Sequence, residues 1–355
     1  MTAWPRPTVR GAEMAVDAFE LTTVADDAVV LHLGEETFRY DALRPDSDYE
    51  FHGVAAHTLA RPAGELLCRF ATVNDVHFGE NECGRIDDHP NGPILRRAPD
   101  EPPYPEVMND GAVAEIATID PAAVIVKGDL SNDGAHDEWA AFEQCYRSAF
   151  AERLHVVRGN HDAHHGQDAY AGDEWIELPG LAVALLDTTI PYATPGVLRT
   201  AQIEWLDDHL AAAGRTLLLG HHQQWVPGGD GAERRSDDYF GLHPDSSDEL
   251  DAVCARHSNA IAYAAGHTHR HRVRRMAVSG RPTIEIGCVK DFPGTWAEYR
   301  VFEGGVMQVV HRISDPEALA WSNRCRVLYR DFGVDYEQYA MRTLDDRCFV
   351  IPDAV

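Results

Sequence analysis

The sequence predicts a layered α/β fold preceded by a small all-β module. From residue 67 onward, strand-like apolar runs alternate with longer amphipathic stretches, which is typical of a layered α/β domain. Before that point, apolar and polar residues alternate over short stretches with no helical period. The length of 355 residues fits one large domain with or without a further module.

The N-terminal part, about residues 8–71, contains short alternating runs such as 29–33, separated by turn residues. Residues 43–51 read LRPDSDYEF, which resembles the fibronectin type III signature with Tyr49 as its corner tyrosine. We therefore expect a β-rich, fibronectin type III-like module over 1–66. A β-extension of the main domain is the alternative.

The main domain is predicted over 67–314. Its strand-like runs are 67–73, 122–126, 154–157, 181–186, 216–219 and 260–264, followed by shorter strands within 272–312. Amphipathic stretches at 137–150 and 202–213 are expected to form helices that cover the sheet. A proline-rich loop is predicted over 80–106. The aromatic tail, 315–355, is expected to fold back onto the domain.

Charge and cysteine content narrow the classes of function. Thirty-one Lys and Arg residues stand against 58 Asp and Glu residues, a net charge of −27, so the chain should repel long nucleic acids. A small phosphorylated substrate remains compatible, because bound metal ions can dominate the local potential. Seven scattered cysteines without a C-x-x-C pair argue against a disulfide framework, and no apolar run is long enough to span a bilayer. We expect a cytoplasmic protein of undetermined oligomeric state.

Clusters of metal-ligand residue types follow five of the predicted strands. They are NDVH at 74–77, KGD at 127–129, RGNHD at 158–162, GHH at 220–222 and GHTH at 266–269. In open α/β sheets, ligands bind beyond the carboxyl ends of the strands, so these clusters are expected to converge on one site. Each cluster alone has a structural explanation as a turn or a helix cap, whereas five in succession at strand ends favour a function.

The residue types indicate the chemistry of the site. Carboxylate, imidazole and amide oxygen together suit Mn, Fe or Zn, whereas Mg or Ca prefers oxygen ligands alone. Two such cations about 3.5–4 Å apart can orient an anionic ester, polarise it and activate water. Asp129, directly after a glycine, is the natural candidate to bridge the pair. The predicted reaction is hydrolysis of a phosphoester.

The ordered blocks D-x-H, G-D, G-N-H-D, H and G-H-x-H resemble those of the calcineurin-like metallophosphoesterases over about 67–312. The resemblance implies a four-layer αββα sandwich and a centre of two divalent metal ions. It assigns Asp75, His77, Asp129 and His269 to one metal, and Asp129, Asn160, His221 and His267 to the other. It makes His161 an unligated catalytic histidine that protonates the leaving oxygen or stabilises phosphoryl charge.

Asn132 departs from the pattern of several relatives, which place an aspartate there to support the catalytic histidine, so the support of His161 is left open. Purple acid phosphatases have a tyrosine ligand at this position, and they are disfavoured. The adjacent His221 and His222, with the GHTHR sequence at 266–270, are most similar to the class III cyclic-nucleotide phosphodiesterases.

Substrate contacts and substrate class are less constrained by the sequence. His222 is a candidate for a phosphate contact, and Arg85 in the proline-rich loop is a candidate phosphate clamp. Small phosphodiesters such as cyclic nucleotides or glycerophosphodiesters are the first hypothesis. Phosphomonoesters of small molecules or phosphoproteins are the second, and a binding module with a vestigial metal site is the third.

Overall fold

The computed structural model describes residues 18–86, 89, 91–227, 235–236 and 239–351. The described part of the chain begins with five short strands in two antiparallel sheets, one of three strands and one of two. These strands are β1 (Glu20–Val24), β2 (Val29–Leu33), β3 (Glu36–Tyr40), β4 (Asp48–Phe51) and β5 (Val54–His57). An all-β N-terminal segment is thus confirmed.

The corner tyrosine of the N-terminal segment behaves locally as the sequence predicts. The hydroxyl of Tyr49 accepts a hydrogen bond from the backbone N–H of Arg44 at 2.9 Å. The described strands form two small sheets, whereas a fibronectin-type sandwich has seven strands. The fibronectin type III resemblance therefore stays a prediction, and so do the domain limits 1–66, 67–314 and 315–355.

Two six-stranded sheets form the body of the protein. The first has the order β10-β9-β6-β17-β18-β19 and the second β11-β12-β13-β14-β16-β15. Their strands are β6 (Leu66–Val73), β9 (Val124–Lys127), β10 (Leu154–Val157), β11 (Glu174–Leu178), β12 (Leu181–Leu186), β13 (Thr216–Gly220), β14 (Ala260–Ala265), β15 (Arg272–Arg275), β16 (Pro282–Glu285), β17 (Thr295–Phe302), β18 (Gly305–Arg312) and β19 (Phe349–Ile351). Strands β7 (Glu82–Cys83) and β8 (Leu95–Arg96) pair in a separate two-stranded sheet. Strands β12, β13 and β14 are buried along their whole length, as their unbroken apolar sequences require.

Helices cover the outer face of each sheet. They are α1 (Tyr104–Thr118), α2 (His136–Phe142), α3 (Ser148–Phe150), α4 (Thr200–Ala212), α5 (Pro244–Arg256), α6 (Pro316–Cys325) and α7 (Tyr336–Met341), with a π-helical turn, Glu143–Arg147, between α2 and α3. One apolar core lies between the sheets, a second under α1, α2 and α6, and a third under α4 and α5. The predicted four-layer αββα sandwich is confirmed.

Parallel pairing brings the predicted clusters to one edge of the sandwich. Strands β6, β9 and β10 run parallel in the first sheet, and β13 and β14 run parallel in the second. Their carboxyl ends lead into the five polar clusters. The loops from both sheets therefore meet at the same end of the molecule.

The C-terminal tail completes the first sheet. Strand β19 pairs with β18 in antiparallel orientation, so that Ile351 lies opposite Val306. Asp315 begins α6 by accepting hydrogen bonds from the backbone N–H groups of Glu317 and Ala318, both at 3.0 Å, which is the usual role of an N-cap aspartate. The tail is thus part of the folded body, and its helix α7 reaches the loop that carries the GHTH sequence.

Candidate metal centre

Asp129 lies at the middle of the polar cluster formed by these loops. Its Oδ2 atom is 3.5 Å from Nε2 of His77 on one side and 3.3 Å from Nε2 of His221 on the other. Its Oδ1 atom accepts the backbone N–H of His161 at 2.9 Å. All three side chains around this carboxylate come from different loops. One carboxylate therefore faces two imidazoles that the sequence assigned to different metals.

The remaining predicted ligands surround this group. Asp75 accepts the backbone N–H of His267 through both carboxylate oxygens at 3.1 Å, and its Oδ1 is 3.8 Å from Nε2 of His269. Oδ1 of Asn160 is 3.1 Å from Nε2 of His221. All seven residues predicted as ligands therefore lie in one cluster at the loop end of the sandwich.

The backbone at these positions is unusual. Five of the seven predicted ligand residues have positive φ angles between 46° and 69°: Asp75, His77, Asp129, His267 and His269. Non-glycine residues seldom adopt this left-handed conformation, and such residues cluster at functional sites, where the surrounding structure holds them. The unfavourable backbone conformation at these five residues directs their side chains into the cluster.

Glycines in the motifs allow the loops to approach closely. A Cβ atom on Gly128 would lie 2.4 Å from Nδ1 of His221, and one on Gly159 would lie 2.2 Å from Oδ1 of Asp129. Both distances are far shorter than carbon makes with nitrogen or oxygen in packed proteins. The G-D and G-N-H-D motifs thus need glycine because the side chain of a predicted ligand occupies the space beside it.

Backbone carbonyls orient two of the histidines, and a carboxylate lies near a third. Nδ1 of His221 lies 2.9 Å from the carbonyl oxygen of Lys127, and Nε2 of His267 lies 3.0 Å from that of Phe240. Nδ1 of His269 lies 3.5 Å from Oδ2 of Asp291. When one ring nitrogen donates to such an acceptor, the other presents its lone pair. The ring nitrogens that do not face these three acceptors are Nε2 of His221, Nδ1 of His267 and Nε2 of His269, and the first of them lies 3.1 Å from Oδ1 of Asn160.

Charge interactions within the cluster shift its pKa values. Burial alone would raise the pKa of Asp129, but the neighbouring His221 and His161 lower it well below its usual range. Burial alone would lower the pKa of His221, and Asp129 raises it to about 9. Burial, together with His221, lowers the pKa of His267 to about 3. At pH 7, Asp129 is therefore charged and His267 neutral, which are the states that metal ligands need, whereas His221 would release its proton when a cation binds.

The donor set fits divalent cations. Candidate ligand atoms of Asp75, His77 and His269 lie within 4.8 Å of one another, and so do those of Asp75, Asp129 and His221. Both ring nitrogens of His77 are buried and make no hydrogen bond within the described part of the chain. Leaving buried polar atoms unpaired is costly, and a cation between these groups would bind one of the two nitrogens through its lone pair. Mixed nitrogen and oxygen donors suit Mn, Fe or Zn.

The backbone, not a side chain, supports His161. Nδ1 of His161 lies 2.7 Å from the carbonyl oxygen of Asn132. The ring therefore donates its Nδ1 proton to a carbonyl, and its Nε2 atom is the one that can exchange a proton. Because every residue has a backbone carbonyl, the residue type at position 132 does not indicate this support.

Replacing Asn132 by alanine is expected to leave metal content and turnover unchanged, because the acceptor is the backbone carbonyl that every residue has. Replacement by proline is the matched control. Proline would remove the backbone N–H that Asn132 donates to the carbonyl of Phe78 at 2.9 Å, so this variant should lose turnover. Steady-state kinetics on both variants provide the test. A large loss of turnover in Asn132→Ala would contradict the backbone-support model.

Asp162 ties the G-D loop to the G-N-H-D loop. Its carboxylate accepts the backbone N–H groups of Gly159 at 2.8 Å, Leu130 at 3.0 Å and Ser131 at 2.9 Å. The side chain is fully buried, so these bonds cannot be replaced by water without opening the site. The fourth residue of the G-N-H-D block is therefore structural, a role that its position in the motif did not reveal.

Asp291 is a supporting carboxylate that sequence reasoning did not assign. It is fully buried. Its Oδ1 atom accepts from the hydroxyl of Tyr336 and from Sγ of Cys288, both at 3.0 Å, which leaves Oδ2 facing His269. Because Tyr336 lies in α7, the C-terminal tail contributes to the environment of a predicted ligand. No local motif marks this position.

Replacing Asp291 by asparagine is expected to weaken binding of the cation assigned to His269 by about 10–100-fold, the usual cost of losing an outer carboxylate partner of a ligand histidine. The control is Tyr336→Phe, which removes one hydrogen bond from Asp291 and keeps its charge. Metal titration of both variants, read by calorimetry, provides the test. Equal affinities in Asp291→Asn and the wild type would show that Asp291 does not act through His269.

The two predicted substrate contacts are placed differently from the ligands. His222 is fully buried, with Nδ1 2.7 Å from Oγ1 of Thr188 and Nε2 3.0 Å from the carbonyl oxygen of Thr194. Both ring nitrogens are engaged, which argues against a phosphate contact. Arg85 donates to Glu82 through Nε at 3.1 Å and Nη2 at 2.7 Å. Among the described residues, Arg85 pairs with Glu82 and makes no hydrogen bond or ion pair with a residue of the cluster.

Comparison with known proteins agrees with this geometry. Residues 68–271 match the family model described as calcineurin-like phosphoesterase. The chain is 34% identical over 180 residues to the 3',5'-cyclic adenosine monophosphate phosphodiesterase CpdA of Pseudomonas aeruginosa, a match that covers 48% of this chain and 63% of that protein. It is 26% identical over 175 residues to a probable cyclic nucleotide phosphodiesterase of Synechococcus sp., covering 47% of this chain and 64% of that protein. The matches span less than two thirds of both relatives.

Among solved structures, the purple acid phosphatase PPD1 of yellow lupin is similar, with a TM-score of 0.50 and 12% identity over 81% of this chain and 57% of that chain. This likeness shows a shared fold. None of the helices in the described ranges combines the length and apolar character that crossing a membrane requires.

Proposed function

Because this chain belongs to the calcineurin-like phosphoesterase family, we propose that it is a metal-dependent hydrolase of small phosphodiesters, with cyclic nucleotides as the first substrate class. The family match covers the five polar clusters and more than half of the chain. The similarity to proteins named as cyclic nucleotide phosphodiesterases supports the diester class over the monoester class.

The position of Asp129 is the observation that carries this proposal. A buried carboxylate with one oxygen within 3.5 Å of both His77 and His221 is suited to hold two cations together. We propose that Asp75, His77, Asp129 and His269 hold one cation, and that Asp129, Asn160, His221 and His267 hold the other. When bound, the pair would polarise the phosphoryl oxygens and lower the pKa of water.

The side chains of the cluster have separate tasks in this proposal. The acceptors behind His221 and His267 fix the ring orientations, so the ligand set is assembled before substrate arrives. His161 is not a ligand. Its Nδ1 proton is held by the carbonyl of Asn132, and its Nε2 atom, when protonated, would donate a proton to the leaving oxygen of the ester.

The overall charge is consistent with a small substrate. A net charge of −27 opposes binding of a long polyanion, because the phosphate contacts of nucleic-acid binding depend on basic side chains. A single phosphodiester carries one negative charge, which two divalent cations can outweigh locally.

Turnover after reconstitution with Mn, Fe and Zn in parallel tests the proposal. Bis(p-nitrophenyl) phosphate is compared with p-nitrophenyl phosphate, and cyclic AMP follows. We expect hydrolysis of the diester to exceed that of the monoester, and cyclic AMP to be hydrolysed. Faster hydrolysis of the monoester would indicate that the protein is a phosphomonoesterase. Absence of turnover with every metal would contradict the proposal and favour a binding module.

A further inference from the structure

One large aromatic side chain beside the proposed metal centre, that of Phe240, is partly exposed. The exposed large hydrophobic residues among those described are Leu66, Leu67, Ile86, Tyr192, Phe240 and Val278. Phe240 is 43% exposed, and its ring centroid lies 5.5 Å from that of His267 at an angle of 35°. It is thus next to a residue that we propose as a metal ligand.

Backbone hydrogen bonds hold the two residues that follow Phe240. The N–H of Gly196 donates to the carbonyl of Gly241 at 3.0 Å, and the N–H of Leu242 donates to the carbonyl of Gln223 at 2.9 Å. The carbonyl of Phe240 itself faces Nε2 of His267 at 3.0 Å. The backbone at Phe240 is therefore held beside the proposed metal centre, and 43% of the residue is open to solvent.

Tyr192 is more exposed, at 75%, but it packs against a different loop. Its hydroxyl would lie 2.1 Å from a Cβ atom on Gly166, so it packs over the turn that follows His161 and His164. Of these two exposed aromatic residues, only Phe240 forms a ring contact with a proposed ligand histidine.

We propose that the exposed face of Phe240 is the stacking surface for the base of a cyclic nucleotide whose phosphate lies at the metal centre. This proposal rests on the proposed function and adds the subsite that would distinguish nucleotides from other phosphodiesters. Stacking on an aromatic side chain tolerates different bases, because every base presents a flat π face. The subsite should therefore select for a planar ring and discriminate weakly between adenine and guanine.

The test compares two phosphodiesters on the metal-loaded full chain: cyclic AMP, which carries a base, and glycerophosphoethanolamine, which has no ring. In Phe240→Ala we expect KM for cyclic AMP to rise about tenfold or more, as loss of base stacking commonly causes, and KM for glycerophosphoethanolamine to stay unchanged. Phe240→Tyr should retain the KM of the wild type. The exposed Val278, in the turn between β15 and β16, provides the control variant Val278→Ala.

The outcomes separate this inference from the function on which it rests. Metal content is measured in each variant, and the carbonyl that faces His267 is retained in all of them. If the wild type hydrolyses both diesters but Phe240→Ala changes neither KM, or changes both equally, the stacking subsite is overturned and the diester activity stands. Hydrolysis of glycerophosphoethanolamine alone also overturns the subsite. A wild type that hydrolyses neither diester overturns both proposals.

Discussion

Replacing Asp129 by alanine is expected to abolish turnover and to lower metal content together. The carboxylate lies between His77 and His221, so its removal leaves the two proposed cation sites without their shared ligand. Loss of a residue that merely supports a ligand typically costs 10–100-fold in metal affinity, and loss of the bridging ligand itself should cost more than about 100-fold. Elemental analysis of the purified variant, together with kinetics, provides the measurement.

A matched control separates loss of ligation from damage to the fold. Asp251 is also buried, and it accepts the backbone N–H groups of Val278 at 2.7 Å and Ser279 at 2.8 Å, away from the cluster. Asp251→Asn should lower thermal stability while keeping metal content. If Asp129→Ala retained two metals and full turnover, the two-metal assignment would be wrong.

The cluster could be predicted from sequence because the relevant information is local. Each block places its ligand types directly after a strand, and parallel strands end at the same edge of a sheet. The close approach of Gly128 to His221, and of Gly159 to Asp129, gives a physical reason for the glycines in two of the blocks. Sequence order and strand ends were therefore enough to bring distant residues together.

The supporting interactions could not be predicted, because they depend on atoms that sequence does not distinguish. Backbone carbonyls of Lys127, Phe240 and Asn132 face three of the histidines, and a carbonyl belongs to every residue. Asp291 faces His269 from a separate loop, and its position is fixed by contacts that form only in the folded chain. His222 is an example of the opposite kind. Its position next to His221 in the sequence suggested a contact with the substrate phosphate, whereas the folded structure buries it.

Helix α1 was not predicted, because its sequence has a weak helical signal that only tertiary packing explains. Helix α1 contains Asn109 and Gly111, which have low helix propensity. Tertiary packing explains both: Asn109 accepts from the hydroxyl of Tyr146 at 2.6 Å, and a Cβ atom on Gly111 would lie 2.9 Å from Ile313. The residues that weaken the local helical signal are those that let α1 pack closely against its neighbours.

Replacing His161 by alanine is expected to lower turnover by about 10²–10⁴-fold while leaving both cations bound, because the residue is proposed as an acid and not as a ligand. The loss should depend on the leaving group. A p-nitrophenolate needs little help from an acid, whereas the alkoxide released from cyclic AMP needs a proton. The deficit should therefore be larger for cyclic AMP than for bis(p-nitrophenyl) phosphate.

The neighbouring His165 supplies the control for this experiment. It is mostly exposed and pairs with Asp133 at 3.0 Å, so His165→Ala should resemble the wild type with both substrates. Because the backbone N–H of His161 donates to Asp129, and alanine keeps that N–H, the bridging carboxylate should stay in place in His161→Ala. Metal loss in that variant would therefore assign the imidazole to assembly of the centre. An equal deficit for both substrates would instead argue that it stabilises charge on the phosphoryl group and does not protonate the leaving oxygen.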